Sequence, residues 1–319
     1  MPKQYKWISL LSRMPWIWSI VGSLVLWISI GIMSSRLTIG TLITNVTLAT
    51  FLIIIGLGQM VAITGGSGGI DLSIPYVVTF SAFLSIGITH GASGITPFLY
   101  GLLSTLTVGL LVGLINGLII VLLNIPPIIT TMATGFIIDS VGIVYAHGFS
   151  SSLPSPLLTS ILSVKIAGLP FLIPFALLVS LLIGLVVRHT TYGRSLEAVG
   201  QSPHAAAYSG ISTSRVRITS FVLSGILAAL GGTLLAAYNG GAFLSMGDPY
   251  LLTSIGAVVI GGSLISGGRS TVVGTIGGAI FLTLIVTAME LTKMSIGLQD
   301  VLRGLVIIFV LIISRAFVT

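Results

Sequence analysis

The stretch Arg188–Arg217, RHTTYGRSLEAVGQSPHAAAYSGISTSRVR, is the one long polar interval in an otherwise apolar chain, and its reading decides the fold. It holds Arg188, Arg194, Glu197, Arg215 and Arg217, in a sequence with only 13 basic and 6 acidic residues. A charge at mid-bilayer costs about 2.5–3.5 kcal/mol even on the mildest scale, so this stretch lies in water. Within it, Ser202-Pro203, then HAAAY, then Ser209-Gly210 supply an N-cap, a proline at the first helical position and a glycine stop. That spells a helix of about two turns. Such a helix is too short to be stable alone, and this one has almost no apolar stripe with which to pack on its own domain. It is expected to be a knob that docks on a partner.

Outward from the knob the chain is oily. A mean hydropathy of +1.17, 55% hydrophobic residues and 6% charged residues lie far from the soluble average of about 25% charged. The expected fold is all-α, a polytopic transmembrane helix bundle forming one domain over residues 1–319. Its 33.1 kDa holds about ten spans of roughly twenty apolar residues with short loops. Apolar runs place them near 15–33, 42–64, 74–89, 97–123, 128–146, 169–187, 216–237, 251–266, 271–289 and 301–318. The runs at 74–89 and 251–266 are short, and both read as broken or re-entrant helices beside Gly-rich turns. Lys3, Lys6 and Arg13 ahead of an apolar run imitate a secretory signal, but the run is long enough to span and no A-x-A-like site follows, so it reads as the first span.

With ten spans and the N-terminus inside, Lys3, Lys6, Arg13, Arg188, Arg194, Arg215, Arg217, Arg269 and Arg315 share one side. Arg36, Lys165, Lys293 and Arg303 fall on the other, with the acids Asp248, Glu290 and Asp300. The excess of basic residues puts both termini and the 188–217 loop in the cytosol. Segment 147–168 is then the longest external one, either a surface helix over Leu157–Val164 or a plain Ser/Pro loop. The net charge of +7 is spread over loop ends, not clustered, which argues against nucleic acid. With no cysteine there is no disulfide, thiolate zinc site or thiol catalysis. His90, His147, His189 and His204 lack metal spacing, and neither a Ser/His/Asp set nor a carboxylate pair supports an enzyme.

Several features inside the apolar runs bear on function. Gly109, Gly113 and Gly117 in one run and Gly274 and Gly278 in another are ridges that let helices approach closely. The segment from Val61 through GGSGGIDLS to Ser73 echoes Val258 through GGSLISGGRS to Ser270, and such paired Gly-interrupted segments point to two pseudo-repeated halves. Gly68, Gly69, Asp71, Gly261, Gly262, Gly267 and Gly268 are therefore gate or hinge candidates, with a tight capped turn as the plain alternative. Gly262–Ser270 comes near a phosphate loop but lacks the GK[ST] ending, so any ATP chemistry belongs to another subunit. Asp139 is the acid placed well inside a span, where it must face the bundle interior or water. Asn45, Gln59 and Asn116 either bond a solute in transit or glue helices together. Together with Asp139 they are the pathway candidates.

Three motifs, GGIDLS at 68–73, EAVG at 197–200 followed by Ala205-Ala206 and Ser209-Gly210-Ile211, and AVVIGGS at 257–263 ahead of Ser266-Gly267-Gly268, give the chain a family likeness. From about Leu42 to Arg315 it resembles membrane permease subunits of the bacterial ribose/xylose-type sugar importers of the ATP-binding cassette class. Two departures are Ile74-Pro75 where the common form has Val-Gly, and a GGSL where it has GGTSL. The resemblance implies a multi-pass protein of the bacterial inner membrane, working with a second permease subunit, identical or different. It further implies a cytosolic ATPase that binds ATP and magnesium, an external sugar-binding protein and a small sugar, with no cofactor in this chain. It implies that Glu197, Ala198, Gly200, Ala205, Ala206 and Gly210 belong to the coupling region seated on the ATPase. The alternative is a self-sufficient secondary transporter or channel for a small polar solute, for which Asp139 is the one hint of a coupling-ion site.

Overall fold

In hydrocarbon the backbone has no water to bond, so each apolar run must satisfy its own N–H and C=O groups, which a helix does. The computed structural model describes residues 16–33, 38–147 and 153–316, and each of the ten apolar runs carries a helix. In chain order the helices are α1 (Trp16–Met33), α2 (Ile39–Thr64), α3 (Ile74–Thr89), α4 (Ile95–Leu122), α5 (Pro127–His147), α6 (Pro156–Ser163) and α7 (Leu172–His189). They continue as α8 (Thr191–Gln201), α9 (Pro203–Tyr208), α10 (Thr213–Asn239), α11 (Tyr250–Ile260), α12 (Val272–Leu291) and α13 (Ile296–Ala316). Among the described residues, six helices are long and apolar enough to cross a membrane: α2, α4, α5, α7, α10 and α12. Lys3, Lys6, Arg13 and Arg36 lie outside the described residues.

The core is organised by α2, which is apolar on every side and is accordingly buried without a break from Ala49 to Thr64. Against it runs α10, and against α10 runs α4 in the opposite direction. The Gly109, Gly113 and Gly117 ridge faces α10 so closely that an added Cβ would lie 2.4 Å from Gly225 O, 2.3 Å from Phe221 O and 2.7 Å from Ile218 Cα. Gly274 and Gly278 do the same between α12 and α11, against Gly261 O and Ala257 O. Lipid is as apolar as leucine, so helices here associate through such packing and through interhelical hydrogen bonds.

Two helices are too short to span. At a rise of about 1.5 Å per residue, α3 with 16 residues and α11 with 11 are roughly 24 and 16 Å long, against a hydrocarbon core of about 30 Å. Each follows a segment of turns: 65–73 is largely buried, whereas 240–249 is mostly exposed and reaches the interior only at Met246 and Gly247. The starts of the two helices meet inside: Gly247 N donates to Thr79 Oγ1 at 3.0 Å, and a Cβ on Gly247 would fall 1.9 Å from Pro75 O. The run expected at 251–266 stops as a helix at Ile260. Gly261-Gly262 ends it, and the apolar residues beyond fold back in a turn where Leu264 N bonds Arg269 O at 3.1 Å.

The helix expected over Leu157–Val164 forms as Pro156–Ser163. A two-residue hairpin follows, pairing β1 (Lys165–Ile166) with β2 (Leu169–Pro170), and delays the start of α7 to Leu172.

Candidate functional site

The knob forms by local chemistry. Ser202 caps α9, its side chain accepting from Ala205 N at 3.3 Å, and Pro203 opens the helix. Gly210 takes a left-handed φ of 80°, and Ile211 N bonds Ala206 O at 3.1 Å, the hydrogen bond that closes such a helix end. Ahead of it stands α8, whose 11 residues sequence reasoning left unassigned. Its signals were Thr190, which caps by accepting from Gly193 N at 3.2 Å, and the apolar pair Leu196 and Val199, both fully buried. The coupling candidates divide accordingly. Ala205 and Gly210 are exposed, Ala206 is buried beneath α9, and Glu197, Ala198 and Gly200 are half-buried on α8. Tyr208, an aromatic in a polar loop beside a helix stop, was not singled out, yet it is 93% exposed at the tip.

Gly200 joins the knob to the bundle. A Cβ there would lie 2.0 Å from Thr64 O and 2.3 Å from Gly268 N, so α8 touches the end of α2 and the 261–271 turn at once. The contact is threefold. A Cβ on Gly66 would meet Gly200 Cα at 2.7 Å, one on Gly267 would meet Gly66 Cα at 2.4 Å, and one on Gly268 would meet Gln201 Cγ at 2.5 Å. Gly268 N donates to Thr64 O at 2.9 Å and Gln201 Nε2 donates to Gly268 O at 3.2 Å. Gly66 and Gly268 also have φ of 74° and 78°, which a side chain rarely adopts. The two echoing Gly-rich segments and the EAVG segment thus meet at one point. Burial on α8 raises the Glu197 carboxyl above the usual carboxylate range, partly offset by the Arg269 charge of the same turn. Arg217, at the start of α10, donates to Ser67 Oγ.

The remaining hinge candidates differ among themselves. Gly68 faces open space, whereas Gly69 lies against Ala62 O, and Gly261 and Gly262 end α11.

The most buried acid is Asp71. It is 2% exposed, and its carboxylate accepts from Ser73 N at 3.0 Å, from Ser73 Oγ, and from Ser224 Oγ of α10 at 2.7 Å. The Gln59 amide, oriented to satisfy both of its ends, donates to Asp71 O at 3.1 Å and accepts from Asp71 N at 3.3 Å. Asn116 Nδ2 donates to Ser73 Oγ at 2.9 Å, while its Oδ1 accepts from Thr134 Oγ1 of α5; Leu72 N donates to Thr131 Oγ1 at 3.0 Å. Gln59, Asp71 and Asn116 therefore form one buried network joining α2, α4, α5 and α10 to the start of α3. Asn45 likewise ties α2 to α12, accepting from Thr287 Oγ1 at 2.6 Å. Asp139 stands apart on α5, half-buried and within electrostatic reach of the Tyr76 phenol, as is Asp248.

Comparison with known proteins identifies the family. Residues 41–311 match a family model described as "Branched-chain amino acid transport system / permease component". Over 265 residues the chain is 30% identical to the probable ABC transporter permease protein y4mJ of Sinorhizobium fredii, covering 82% of this chain and 77% of that one. It is also 30% identical to the ribose import permease protein RbsC of Bacillus subtilis, over 78% of this chain and 77% of the relative. The galactose/methyl galactoside import permease protein MglC of Haemophilus influenzae is again 30% identical, over 77% and 78%. No solved structure matches.

Proposed function

This chain belongs to the family of branched-chain amino acid transport system permease components, and from that premise we propose that it is the membrane permease of an ATP-driven sugar importer. The relatives named as ribose and galactose importers support sugar over amino acid as cargo. The observation that carries the coupling role is α9. It is a six-residue helix held out from the bundle with Tyr208 uncovered, mounted on a junction too tight to yield locally. A rigid mount transmits displacement, whereas a flexible loop would absorb it.

In this reading, Glu197–Gly210 seats in a cleft of a cytosolic ATPase, which holds the ATP and magnesium. Closure of the ATPase pair shifts α9 and, through Gly200, moves the ends of α2 and the 261–271 turn together. The bundle crosses the lipid ten times in two pseudo-repeated halves, the short α3 and α11 completing their crossings with the non-helical segments beside them. In each half, an apolar helix runs into a Gly-rich turn and then a second apolar helix: α2, 65–73, α3 and α11, 261–271, α12. Both termini are cytosolic. Two permease subunits enclose the path, and an external binding protein delivers the sugar.

The test is co-purification. The full chain, co-expressed with a cognate Walker A ATPase subunit, retains that subunit in detergent, and Tyr208→Ala releases it. Ion-driven sugar transport by the chain alone in vesicles would overturn the proposal.

A further inference from the structure

One face of the bundle cannot lie against lipid. The 240–249 turns join the end of α10 to the start of α11, and Phe243, Leu244, Ser245, Asp248 and Pro249 in them are exposed. Their depth follows from α3. Thr89, at its far end, stands six residues before α4, a helix of 28 residues long enough to cross, so Thr89 is near a membrane surface. Pro75, whose carbonyl abuts Gly247, precedes Thr89 by fourteen residues. At ~1.5 Å per residue that is about 21 Å further in, roughly two-thirds of a ~30 Å hydrocarbon core. Irregular backbone is tolerated at such depth only where protein buries it or water reaches it.

Asp139 gives the same answer independently. It stands on α5, a helix of 21 residues, roughly 18 Å from Pro127 and 12 Å from His147. Charged side chains at that depth are costly and face the bundle interior or water. Yet Asp139 is only half-buried, Ser140 beside it is exposed, and no cation pairs with Asp139 or Asp248 among the described residues. Both acids act on the Tyr76 phenol, and the rings of Tyr76 and Phe136, 5.8 Å apart, hold α3 to α5 there. The three groups share one uncovered face, and water must reach it.

A wet strip at bilayer depth needs a wall of protein opposite, since lipid would close on it. The rim identifies the wall. Around Asp139, α5 exposes Met132, Phe136, Ile137, Val141 and Val144, apolar residues with no charge that would select an unlike partner. Ala133 and Ser140, both exposed and seven residues apart, leave a partner helix room to approach. A patch of this kind needs only to match itself, as in a twofold pair. We propose that a second copy of this chain packs against this face, enclosing a water-filled path lined by Tyr76, Asp139 and Asp248 of both copies. The placement deepens the import reading, from which it takes only the pairing of permeases, and it is tested without an ATPase or a solute.

The chain has no cysteine, so single cysteines report without background. The reporters are Ser245→Cys, where the Ser245 carbonyl accepts from Asp248 N at 3.0 Å, and Ser140→Cys; the control is Leu181→Cys, exposed midway along α7. Only a thiolate reacts and hydrocarbon keeps a thiol protonated, so in vesicles a charged methanethiosulfonate should label both reporters at least about tenfold faster than the control. Fixed carboxylates concentrate cations, so a cationic reagent should outpace an anionic one about tenfold at Ser245→Cys, each rate normalised to a free thiol. That ratio should fall toward one when Asp139→Asn and Asp248→Asn are added. A long flexible bismaleimide should join two copies through either reporter and not through Leu181→Cys. Thermal midpoints identify a reporter that misfolds, and the other then decides.

Labelling of the folded reporters no faster than the control would overturn the wet face. Fast labelling with no cross-linked dimer from either reporter would overturn the second copy. A charge ratio unchanged by removing both acids would take Asp139 and Asp248 off the path. If any of these occurs while the assembled transporter imports a sugar on ATP, the face alone fails and the import reading stands. If the assembly imports no sugar, the import reading fails by itself.

Discussion

Replacing Gly200 with alanine adds one methyl group at the most constrained contact of the knob. Its Cβ would stand 2.0 Å from Thr64 O and 2.3 Å from Gly268 N, where a close C···O contact is about 3.3–3.6 Å. The overlap exceeds 1 Å, and both opposing atoms are backbone, so no side chain can rotate away. Either α8 or the 261–271 turn must move by about that distance. The Gly268 N to Thr64 O bond and the Gln201 Nε2 to Gly268 O bond are lost with it. Overpacking costs about 1–3 kcal/mol and each of the two displaced hydrogen bonds about 0.5–1.5, giving roughly 2–6 kcal/mol at this junction. The expected phenotype is a lowered thermal midpoint in detergent and at least a tenfold loss of ATP-driven uptake in reconstituted vesicles, with membrane insertion and ATP turnover retained. Gly210→Ala is the contrast: nothing lies within 4 Å of its Cβ, and the cost is only the left-handed backbone penalty of about 1–2 kcal/mol. Wild-type uptake and midpoint in Gly200→Ala would refute the junction as a rigid mount.

Tyr208→Ala removes the exposed ring at the tip of α9 and should weaken retention of the ATPase about 30-fold, the ~2 kcal/mol of an aromatic hot spot, without moving the midpoint of the chain alone; titration of the purified ATPase measures it. Asp71→Ala orphans Ser73 N, Ser73 Oγ and Ser224 Oγ at about 1–3 kcal/mol each, so the midpoint should fall steeply, and Asp71→Asn, which keeps an acceptor, should fall less. Equal midpoints for the two would dismiss the network as a stabiliser. Because burial raises Glu197 in the folded chain above its ordinary 4.5, its ionised form weakens the fold once the pH exceeds the folded value, and it costs nothing below the ordinary one. Glu197→Gln should therefore raise the midpoint near pH 7 and lose that advantage near pH 4; a gain independent of pH would contradict the assignment.

How much of this could be read from residues alone varies from element to element. The α9 helix was legible to the residue, because a serine cap, a proline at the first position and a glycine stop act within a few bonds of one another. The adjoining α8 was not, because its stripe of Leu196 and Val199 acquires meaning only once the end of α2 lies above it. Placing Asp139 at depth and Asp71 in a turn was reasonable from hydropathy, yet Asp71 is the acid sealed in the interior. A Gly-rich turn at the end of an apolar run looks the same in sequence whether it stays at the surface or re-enters the bundle. Gln59 and Asn116 were readable as glue or as pathway, and only the folded chain shows that both bond to the segment around Asp71.

By itself the sequence determined that the chain is a bundle of apolar helices with one polar knob, since hydrophobic run length, caps and breakers are local free energies that hold whatever surrounds them. Only the tertiary structure decided that the segments around Gly66, Gly200 and Gly268 meet and that α3 and α11 start inside the bundle. Those outcomes depend on which backbones approach within a few ångströms of each other. That depends on the packing of whole helices, which no short window of residues contains.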